Sequence, residues 1–247
     1  MILRVAMVVL VCTLAAAAPH EGGHPHWSYE GEEGPAHWAG LDPQYATCEA
    51  GHLQSPIDIR DATAIDLSPL TFSYRPSPLR LIDNGHTIQV TYAPGSYFTV
   101  GDHKYVLQQF HFHHPAEEKV QGKSFPLVVH LVHKDDEGKL AVVAVLLKQG
   151  EPNPTVDNLW KHLPSAVGEE VVAEVTVNAT ALLPPGRGYY TFVGSLTTPP
   201  CTEGVTWFVL KDPSHVSRAE VAAFARKYPN NARPIQPANG RAIEMTR

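Results

Sequence analysis

Three histidines are the residues of this chain best suited to chemistry, and two of them lie in one short stretch. The stretch QFHFHHPAEE begins at Gln109 and ends at Glu118. Within it, His111 and His113 flank Phe112. Successive strand residues point to opposite faces of a sheet, so in a strand these two imidazoles share one face. Because the chain has 14 histidines, an H-x-H pair alone is a weak indication of a metal site.

A third histidine lies on the next strong strand pattern, LVVHLVH. His130 occupies one face of that strand, and His133 points to the other. If the two strands are neighbours, the imidazoles of His111, His113 and His130 converge. Three neutral nitrogen ligands with an open fourth position form the usual catalytic zinc site, whereas a structural site closes that position, often with thiolate. The alternative left open here is a set of histidines that binds no ion.

The same stretch also fits H-x-H-x3-E, the first metal motif of the cupins. Glu117 would then be a ligand to iron or manganese. A cupin needs a glycine six residues before the first histidine, where this chain has Tyr105. It also needs P-x-G-x2-H downstream, and the segment PPGRGY has Tyr189 in place of that histidine. Both departures disfavour the cupin alternative.

Composition and patterning predict the elements that must position these histidines. The 22 prolines and 18 glycines favour many short strands joined by loops. Strand patterns dominate from Ser55 on, and LAVVAVLLK is apolar enough to be a buried central strand. Helices are predicted in TVDNLWKHLP and in SRAEVAAFARKY, where Ser217 and Glu220 form a capping box. With no repeat, linker or break in composition, the chain is predicted to be one domain.

The first residues, MILRVAMVVLVCTLAAAAP, have the pattern of a secretory signal. Arg4 precedes an apolar run that ends at Leu14, and small residues follow up to Ala18. We therefore predict a signal peptide at residues 1–18, a mature domain at residues 19–247 and a periplasmic or secreted location. The run is too short to span a bilayer, although an N-terminal membrane anchor is the alternative. The net charge of −6 argues against a nucleic-acid surface.

Two cysteines are left once Cys12 is removed with the predicted signal. An exported protein with two cysteines usually joins them, so we predict a bridge between Cys48 and Cys201. Two free, buried thiols are the alternative.

Nine blocks of sequence cover nearly the whole mature chain: HWSY, GPAHW, QSPIDI, DNGHTIQV, QFHFHHPAE, HLVHK, LAVVAVLLK, GSLTTPPCTEGVTW and NNARPIQP. Taken in order, these blocks resemble the α-class carbonic anhydrases of the bacterial exported type. The resemblance implies a mainly β (α+β) domain with a central, twisted, mostly antiparallel ten-stranded sheet, a few surface helices and zinc in a conical cleft. It also implies reversible hydration of carbon dioxide to bicarbonate and a proton, by zinc-hydroxide attack with a histidine proton shuttle.

The resemblance carries roles over to individual residues. Thr197 would orient the zinc hydroxide and donate onward to Glu117, Thr198 would line the cleft, and His86 would be the proton shuttle. Without the resemblance, the sequence pattern alone would indicate that His86 is an exposed histidine in a turn. The Zn²⁺ ligands would be His111, His113 and His130.

The remaining matches describe the surroundings of the predicted metal. Gln109 would be the partner of the first ligand. The apolar wall that holds carbon dioxide would consist of Val132, Val142, Leu196, Val205 and Trp207. The residues that order water on the polar side would be Tyr29, Asn84 and Gln89. Cys48 and Cys201 would form the disulfide bridge found in exported members. Anions and sulfonamide-type inhibitors are expected ligands, and dimers are common among bacterial relatives.

The chain departs from the family pattern at three positions. Two residues before the third ligand the family usually has a glutamate, and here it is Val128. Just after Glu117 it often has a histidine, and here it is Glu118. Our hypothesis is that Glu118 accepts the N–H of His130 directly while Val128 makes room. The alternative is a solvated Glu118. Phe192 replaces a frequent tyrosine, with an effect that the sequence does not predict.

Three other functions are alternatives to carbon dioxide hydration. A recognition protein on the same fold would lack a ligand histidine, and all three are present. A periplasmic zinc buffer would use the His-rich arm, whose histidines His20, His24 and His26 otherwise read as a solvated tail. Hydrolysis of activated esters would be a side reaction of the same site.

Overall fold

The structure is a computed structural model, and it describes residues 26–247. The predicted signal peptide at residues 1–18 lies outside the described residues, and so do His20 and His24 of the His-rich arm. Fifteen strands are described, and they are β1 (Asp58–Ile59), β2 (Thr63–Ile65), β3 (Leu70–Ser73), β4 (Ser77–Asp83), β5 (Ile88–Thr91), β6 (Tyr97–Val100), β7 (His103–His113), β8 (Lys119–Val120), β9 (Leu127–Lys134), β10 (Leu140–Gln149), β11 (Glu170–Val177), β12 (Tyr189–Ser195), β13 (Glu203–Leu210), β14 (Ser214–Val216) and β15 (Glu244–Thr246).

Helices are few and short. The α-helices within residues 26–247 are α1 (Trp38–Leu41), α2 (Thr47–Ala50), α3 (Pro154–Trp160) and α4 (Arg218–Ala225). Short 3-10 helices span Gly31–Glu33, Pro43–Tyr45 and Ala179–Leu182. No helix in this part of the chain is long and apolar enough to cross a membrane.

One large twisted sheet organises the molecule, as predicted. Its main path contains ten strands in the order β11-β4-β5-β7-β9-β10-β13-β12-β15-β2. Three more strands, β3, β6 and β14, attach beside this path and bring the sheet to 13 strands. Most pairs are antiparallel; β10 runs parallel to β13 and β14, and β15 runs parallel to β2. The sheet is therefore open and mixed.

The central strand is β10, which pairs with β9 on one side and β13 on the other. Seven consecutive residues of β10 are buried, because apolar layers cover both faces of the sheet. Val143 belongs to the larger core on one face, and Val142 belongs to the smaller core on the other. The near-continuous apolar pattern of this strand thus predicted its place correctly.

Helices α3 and α4 close the larger core. Helix α4 begins at the predicted capping box, in which the Ser217 side chain accepts from the Glu220 N–H and the Glu220 carboxylate accepts from the Ser217 N–H. Trp160 of α3 stacks on Phe224 of α4, with ring centroids 5.5 Å apart. Trp160 also meets Phe112 of β7 edge-on at 4.9 Å. The face of β7 opposite to its paired histidines is therefore packed in this core.

His133 lies on the core-facing side of β9 and is fully buried. Its Nδ1–H donates to the Leu131 carbonyl at 2.8 Å, and its Nε2 accepts from the Tyr74 hydroxyl at 2.7 Å. Burial lowers the pKa of His133 to about 3. The imidazole is thus neutral in the folded protein, whereas in the unfolded chain it titrates near its ordinary value.

Acid should therefore weaken the fold through His133. The folded pKa lies below the unfolded one, so the unfolded chain takes up the proton first as the pH falls below about 6.5. Lowering the pH from 7 to 5 should remove about 2 kcal/mol of unfolding free energy through this one group. His133→Gln, which cannot titrate, should be less stable at pH 7, with a deficit that shrinks by about that amount at pH 5. Urea titrations of both proteins measure this; a deficit independent of pH would contradict the assignment.

Candidate metal centre

The three candidate ligands meet because β7 and β9 are antiparallel neighbours. His111 of β7 lies directly opposite His130 of β9 in the ladder, and His113 lies opposite Val128. Strand alternation places His111 and His113 on one face, and the register places His130 on the same face. The candidate ligand atoms of the three imidazoles all lie within 4.8 Å of one another. The convergence predicted from the sequence is therefore present.

Hydrogen bonds orient the two imidazoles of β7. Nδ1 of His111 lies 2.8 Å from Oε1 of Gln109, the partner predicted for it. Nδ1 of His113 lies 2.6 Å from the Asn231 carbonyl oxygen. A carbonyl can only accept, so Nδ1 carries the proton in each ring and Nε2 is left with a free lone pair. Both Nε2 atoms are thereby directed into the centre.

The third imidazole is turned the other way round. Nε2 of His130 lies 2.8 Å from Oε1 of Glu118, so Nδ1 faces the centre. This is the contact that the sequence predicted from the exchange at positions 128 and 118. Glu118 is fully buried, which contradicts the alternative of a solvated carboxylate. Val128 is also fully buried and packs in the smaller core.

Burial controls the protonation of the cluster. It lowers the pKa of His111 to about 3, and the nearby His130 adds to the effect. Burial likewise lowers the pKa of His113 well below its ordinary value, helped by the other two imidazoles. For His130, burial acts in the same direction, but the Glu118 charge and hydrogen bond and the Glu117 charge outweigh it and raise the pKa. A carboxylate partner of this kind makes an imidazole a stronger metal ligand.

The donor set fits a zinc ion. Nε2 of His113 is buried and has no hydrogen-bond partner among the described residues. An unpaired buried nitrogen of this kind costs about 1–3 kcal/mol unless something binds it. Three neutral imidazole nitrogens, with no thiolate to close the fourth position, are the donor set of catalytic zinc sites.

A buried carboxylate borders the three nitrogens. Oε1 of Glu117 accepts from the Arg233 main-chain N–H at 2.8 Å, and the Thr197 hydroxyl bonds to the same carboxylate. Oε2 of Glu117 lies 3.5 Å from Nε2 of His113. Burial raises the pKa of Glu117 to about 7, with the Glu118 charge acting the same way, while His130, the Arg233 N–H and Thr197 act against them. The Glu117–Thr197 contact implied by the resemblance is therefore present.

Apolar side chains cover one side of the centre. Val142 of β10 lies between Val132 of β9 and Trp207 of β13 in the sheet ladders. The Trp207 ring meets the His130 ring edge-on, with centroids 5.0 Å apart. All five residues predicted for the carbon dioxide wall belong to, or pack against, the smaller core: Val132, Val142, Leu196, Val205 and Trp207.

A small polar cleft of about 130 Å³ opens on the other side of the centre. The His86 ring stacks on the Trp27 ring with centroids 3.6 Å apart. Burial lowers the pKa of His86, and the neighbouring His26 adds to this effect. The cleft is lined by Trp27, Tyr29, Asn84, His86, Thr87, Gln89, Gln109, His111, His113 and Thr198. The predicted shuttle and the predicted water-ordering residues thus line the same cleft as two of the histidines.

The predicted disulfide is present between Cys48 and Cys201. The Cys201 N–H donates to the Thr198 carbonyl at 2.8 Å, which closes the turn that follows Thr197. The bridge therefore ties helix α2 to the segment that carries both threonines of the site.

Three contributors to the site were missed from the sequence. Asn231 holds His113 through its carbonyl, Arg233 holds Glu117 through its N–H, and Trp27 covers His86. The blocks HWSY and NNARPIQP contained all three, so the available signal was the resemblance itself. The contacts of Asn231 and Arg233 use main-chain atoms, which every residue type has, so residue type alone does not indicate them.

Known proteins share both the sequence and this architecture. The profile described as eukaryotic-type carbonic anhydrase matches residues 33–247. A carbonic anhydrase of Pectobacterium carotovorum is 41% identical over 242 residues, 98% of each chain. The α-carbonic anhydrase structure from Photobacterium profundum is 44% identical, with a TM-score of 0.84 over 89% of this chain and 100% of that one. The Thermovibrio ammonificans enzyme, solved with the inhibitor sulfanilamide, is 40% identical, with a TM-score of 0.87 over 90% and 100%.

The fold is an open mixed sheet whose three converging imidazoles form a group able to hold a metal ion. The chain belongs to the carbonic anhydrase family, the family that the sequence resembled. The cupin alternative is therefore wrong, in agreement with the open sheet, which does not close into a barrel.

Removing the Glu118 carboxylate should weaken metal retention. Loss of a carboxylate that supports a ligand histidine typically costs 10- to 100-fold in metal affinity. Glu118→Ala should show that loss in a chelator competition with Zn²⁺, whereas Glu151→Ala, at an exposed glutamate, should bind like wild type. The exchange Val128→Glu with Glu118→His, which recreates the common family pair, should recover most of the affinity. Wild-type retention by Glu118→Ala would refute the idea.

Proposed function

We propose that this protein catalyses the reversible hydration of carbon dioxide to bicarbonate and a proton at a zinc ion held by His111, His113 and His130. The observation that carries the proposal is the placement of three free imidazole nitrogens between an apolar wall and a polar cleft. Membership of the carbonic anhydrase family supports the same reaction, because carbon dioxide hydration is the activity of that family.

The metal would supply Lewis acidity, which lowers the pKa of a water molecule in the open position to about 7. The chain's own residues would do the rest. Thr197, which lowers the pKa of Glu117, would donate its hydroxyl hydrogen to that carboxylate, and its oxygen could then only accept from whatever binds in front of it. This fixed polarity would select and orient a nucleophile that carries a hydrogen.

The apolar wall suits the substrate. Carbon dioxide is neutral and small, so it needs a dry surface and no charged clamp. Val142 and Trp207 are both nearly fully buried, and the Trp207 ring lies against the His130 ring. An apolar surface at this place would hold carbon dioxide next to the nucleophile and exclude competing water.

Proton removal would use the polar cleft. Each turnover releases a proton that must reach buffer, and histidine is the side chain that titrates in the right range. His86 lies in the cleft with His111 and His113 and is half-buried. Its lowered pKa favours rapid loss of the proton once it has been taken up.

Further expectations follow from the same assignment. Sulfonamides should inhibit, since the Thermovibrio ammonificans relative was solved with sulfanilamide. The disulfide supports a periplasmic or secreted location, because such bonds persist in oxidising compartments. The predicted cleavage near Ala18 and a homodimer belong to the proposal as well.

The reaction and the metal site can be tested together. Zinc-loaded protein should accelerate carbon dioxide hydration in stopped flow, and His111→Ala should fall to the buffer rate because one of three ligands is lost. The matched control is His103→Ala, which changes an exposed histidine on the same strand and should hydrate like wild type. Metal analysis should give one zinc per wild-type chain. A zinc-loaded wild type that is no faster than buffer would refute the proposed reaction.

The shuttle can be tested by varying the buffer. His86→Ala should lower turnover in weak buffer by roughly tenfold or more, because a proton carrier is lost. The ratio kcat/KM should hardly change, since carbon dioxide binding and attack do not involve His86. Added imidazole should restore turnover. Equal turnover of wild type and His86→Ala in weak buffer would show that His86 is not the shuttle.

A further inference from the structure

The turn that carries His86 is held by more than its own residues. Within the turn, Oδ1 of Asn84 accepts from the N–H groups of His86 and Thr87, at 3.0 and 2.9 Å. Gly85 has φ +86°, a left-handed conformation that other residues rarely adopt. These bonds shape the turn, but they do not fix where the turn lies relative to the metal centre.

Asp83, the residue before the turn, is anchored by a segment from the far end of the chain. Its side chain is buried, and its carboxylate accepts from the Gly85 N–H at 3.2 Å and from the Tyr228 hydroxyl in a short hydrogen bond. The Lys227 ammonium lies 3.2 Å from the other carboxylate oxygen. A buried carboxylate is stable only with such donors, so this cluster holds Asp83 and the start of the turn in one place.

Asn231 anchors the turn from the other side. Its Nδ2 donates to the His86 carbonyl and to the Phe112 carbonyl, both at 3.0 Å. Its main-chain oxygen accepts from Nδ1 of His113 at 2.6 Å. One residue therefore links the His86 turn, strand β7 and a candidate metal ligand through direct hydrogen bonds.

We propose that residues 227–231, here called the anchor segment, are positioning residues for proton transfer: Tyr228 and Asn231 hold the His86 turn at a fixed place relative to His113. The proposal rests on the proposed function, in which His86 carries the proton. None of these side chains needs to touch the proton. They keep the His86 ring against Trp27 at the mouth of the cleft, where water can connect it to the metal centre.

The anchor segment suits this task because its contacts are specific and separable. Tyr228 touches the turn through Asp83 and makes no hydrogen bond to a candidate ligand in the structure as described. Asn231 bonds both to the turn and to the strand of the ligands. A change at Tyr228 should therefore affect proton transfer alone, whereas a change at Asn231 should affect proton transfer and metal retention together.

The first test is kinetic, on the zinc-loaded full protein. Tyr228→Phe removes only the hydroxyl, so we expect turnover in weak buffer to fall severalfold, less than in His86→Ala, with kcat/KM unchanged. Imidazole should restore it. In a His86→Ala background, Tyr228→Phe should have no further effect. The control Tyr97→Phe removes a tyrosine hydroxyl on strand β6 and should behave like wild type.

The second readout is independent of activity. Nuclear magnetic resonance should show the His86 ring protons shifted upfield by the Trp27 ring, which lies 3.6 Å away. In Tyr228→Phe, and in Asp83→Asn as a second variant, this shift should shrink while the signals of His111, His113 and His130 keep their positions. Asn231→Ala keeps the main-chain bond to His113 but removes the side-chain bonds to the His86 and Phe112 carbonyls. It should therefore reduce the His86 shift and, through the lost support of β7, also weaken zinc retention in a chelator competition.

These readouts separate the inference from the proposed function. An unchanged His86 shift in both Tyr228→Phe and Asp83→Asn would overturn the positioning role, whatever the kinetics. A turnover loss from Tyr228→Phe that persists in the His86→Ala background would also overturn it, because the effect would then not pass through His86. If His86→Ala itself turns over normally, the shuttle is wrong, and a reduced His86 shift would still support the structural part of the inference.

Discussion

The pairing of β7 with β9 is the constraint on which the site depends. With His111 opposite His130, all three imidazoles share one face and a volume small enough for a single ion. A slip by one residue would turn every side chain of a strand to the other face, sending the imidazoles into the larger core. The apolar residues Phe110 and Phe112 are fully buried on that opposite face, and their packing fixes the register. The larger core thus determines the chemistry on the other side of the sheet.

Burial of this polar cluster has a cost that explains its arrangement. His113 and Glu117 each have a buried side-chain atom without a hydrogen-bond partner among residues 26–247, and such atoms destabilise a fold. Within the same described residues, Tyr29, Glu118 and Arg233 each leave one more buried side-chain atom unpaired, whereas the side chain of Asn231 is bonded to main-chain groups. Nε2 of His113 and Oε2 of Glu117 lie 3.5 Å apart beside the other candidate ligand nitrogens, where an ion and its ligands would lie. A site poised for metal chemistry is therefore one that the fold leaves incomplete on its own.

The parts that were predictable from the sequence are those set by local patterns. Alternation on β7 and β9 predicted the shared face of the histidines, continuous apolarity predicted the place of β10, and Ser217 with Glu220 predicted the start of α4. Two strands beside the main path, β3 and β14, have only four and three residues, too few for a clear period. The contacts of Asn231, Arg233 and Tyr228 were also missed, since their partners lie more than 100 residues away along the chain. Two of these contacts use main-chain atoms, which do not depend on residue type.

The exchange at positions 118 and 128 shows what the site requires of a residue and what it does not. The His130 ring needs an acceptor at Nε2 so that Nδ1 faces the centre. In the common family pattern the carboxylate lies at position 128, two residues before His130 on β9. Here it comes from the segment just before β8, where Glu118 lies. Moving the acceptor to Glu118 frees position 128 for an apolar side chain, and Val128 extends the smaller core behind the metal centre. The hydrogen bond to Nε2 is retained, because it sets the tautomer of His130 and the direction in which its ligand nitrogen points. The element that supplies the acceptor can change.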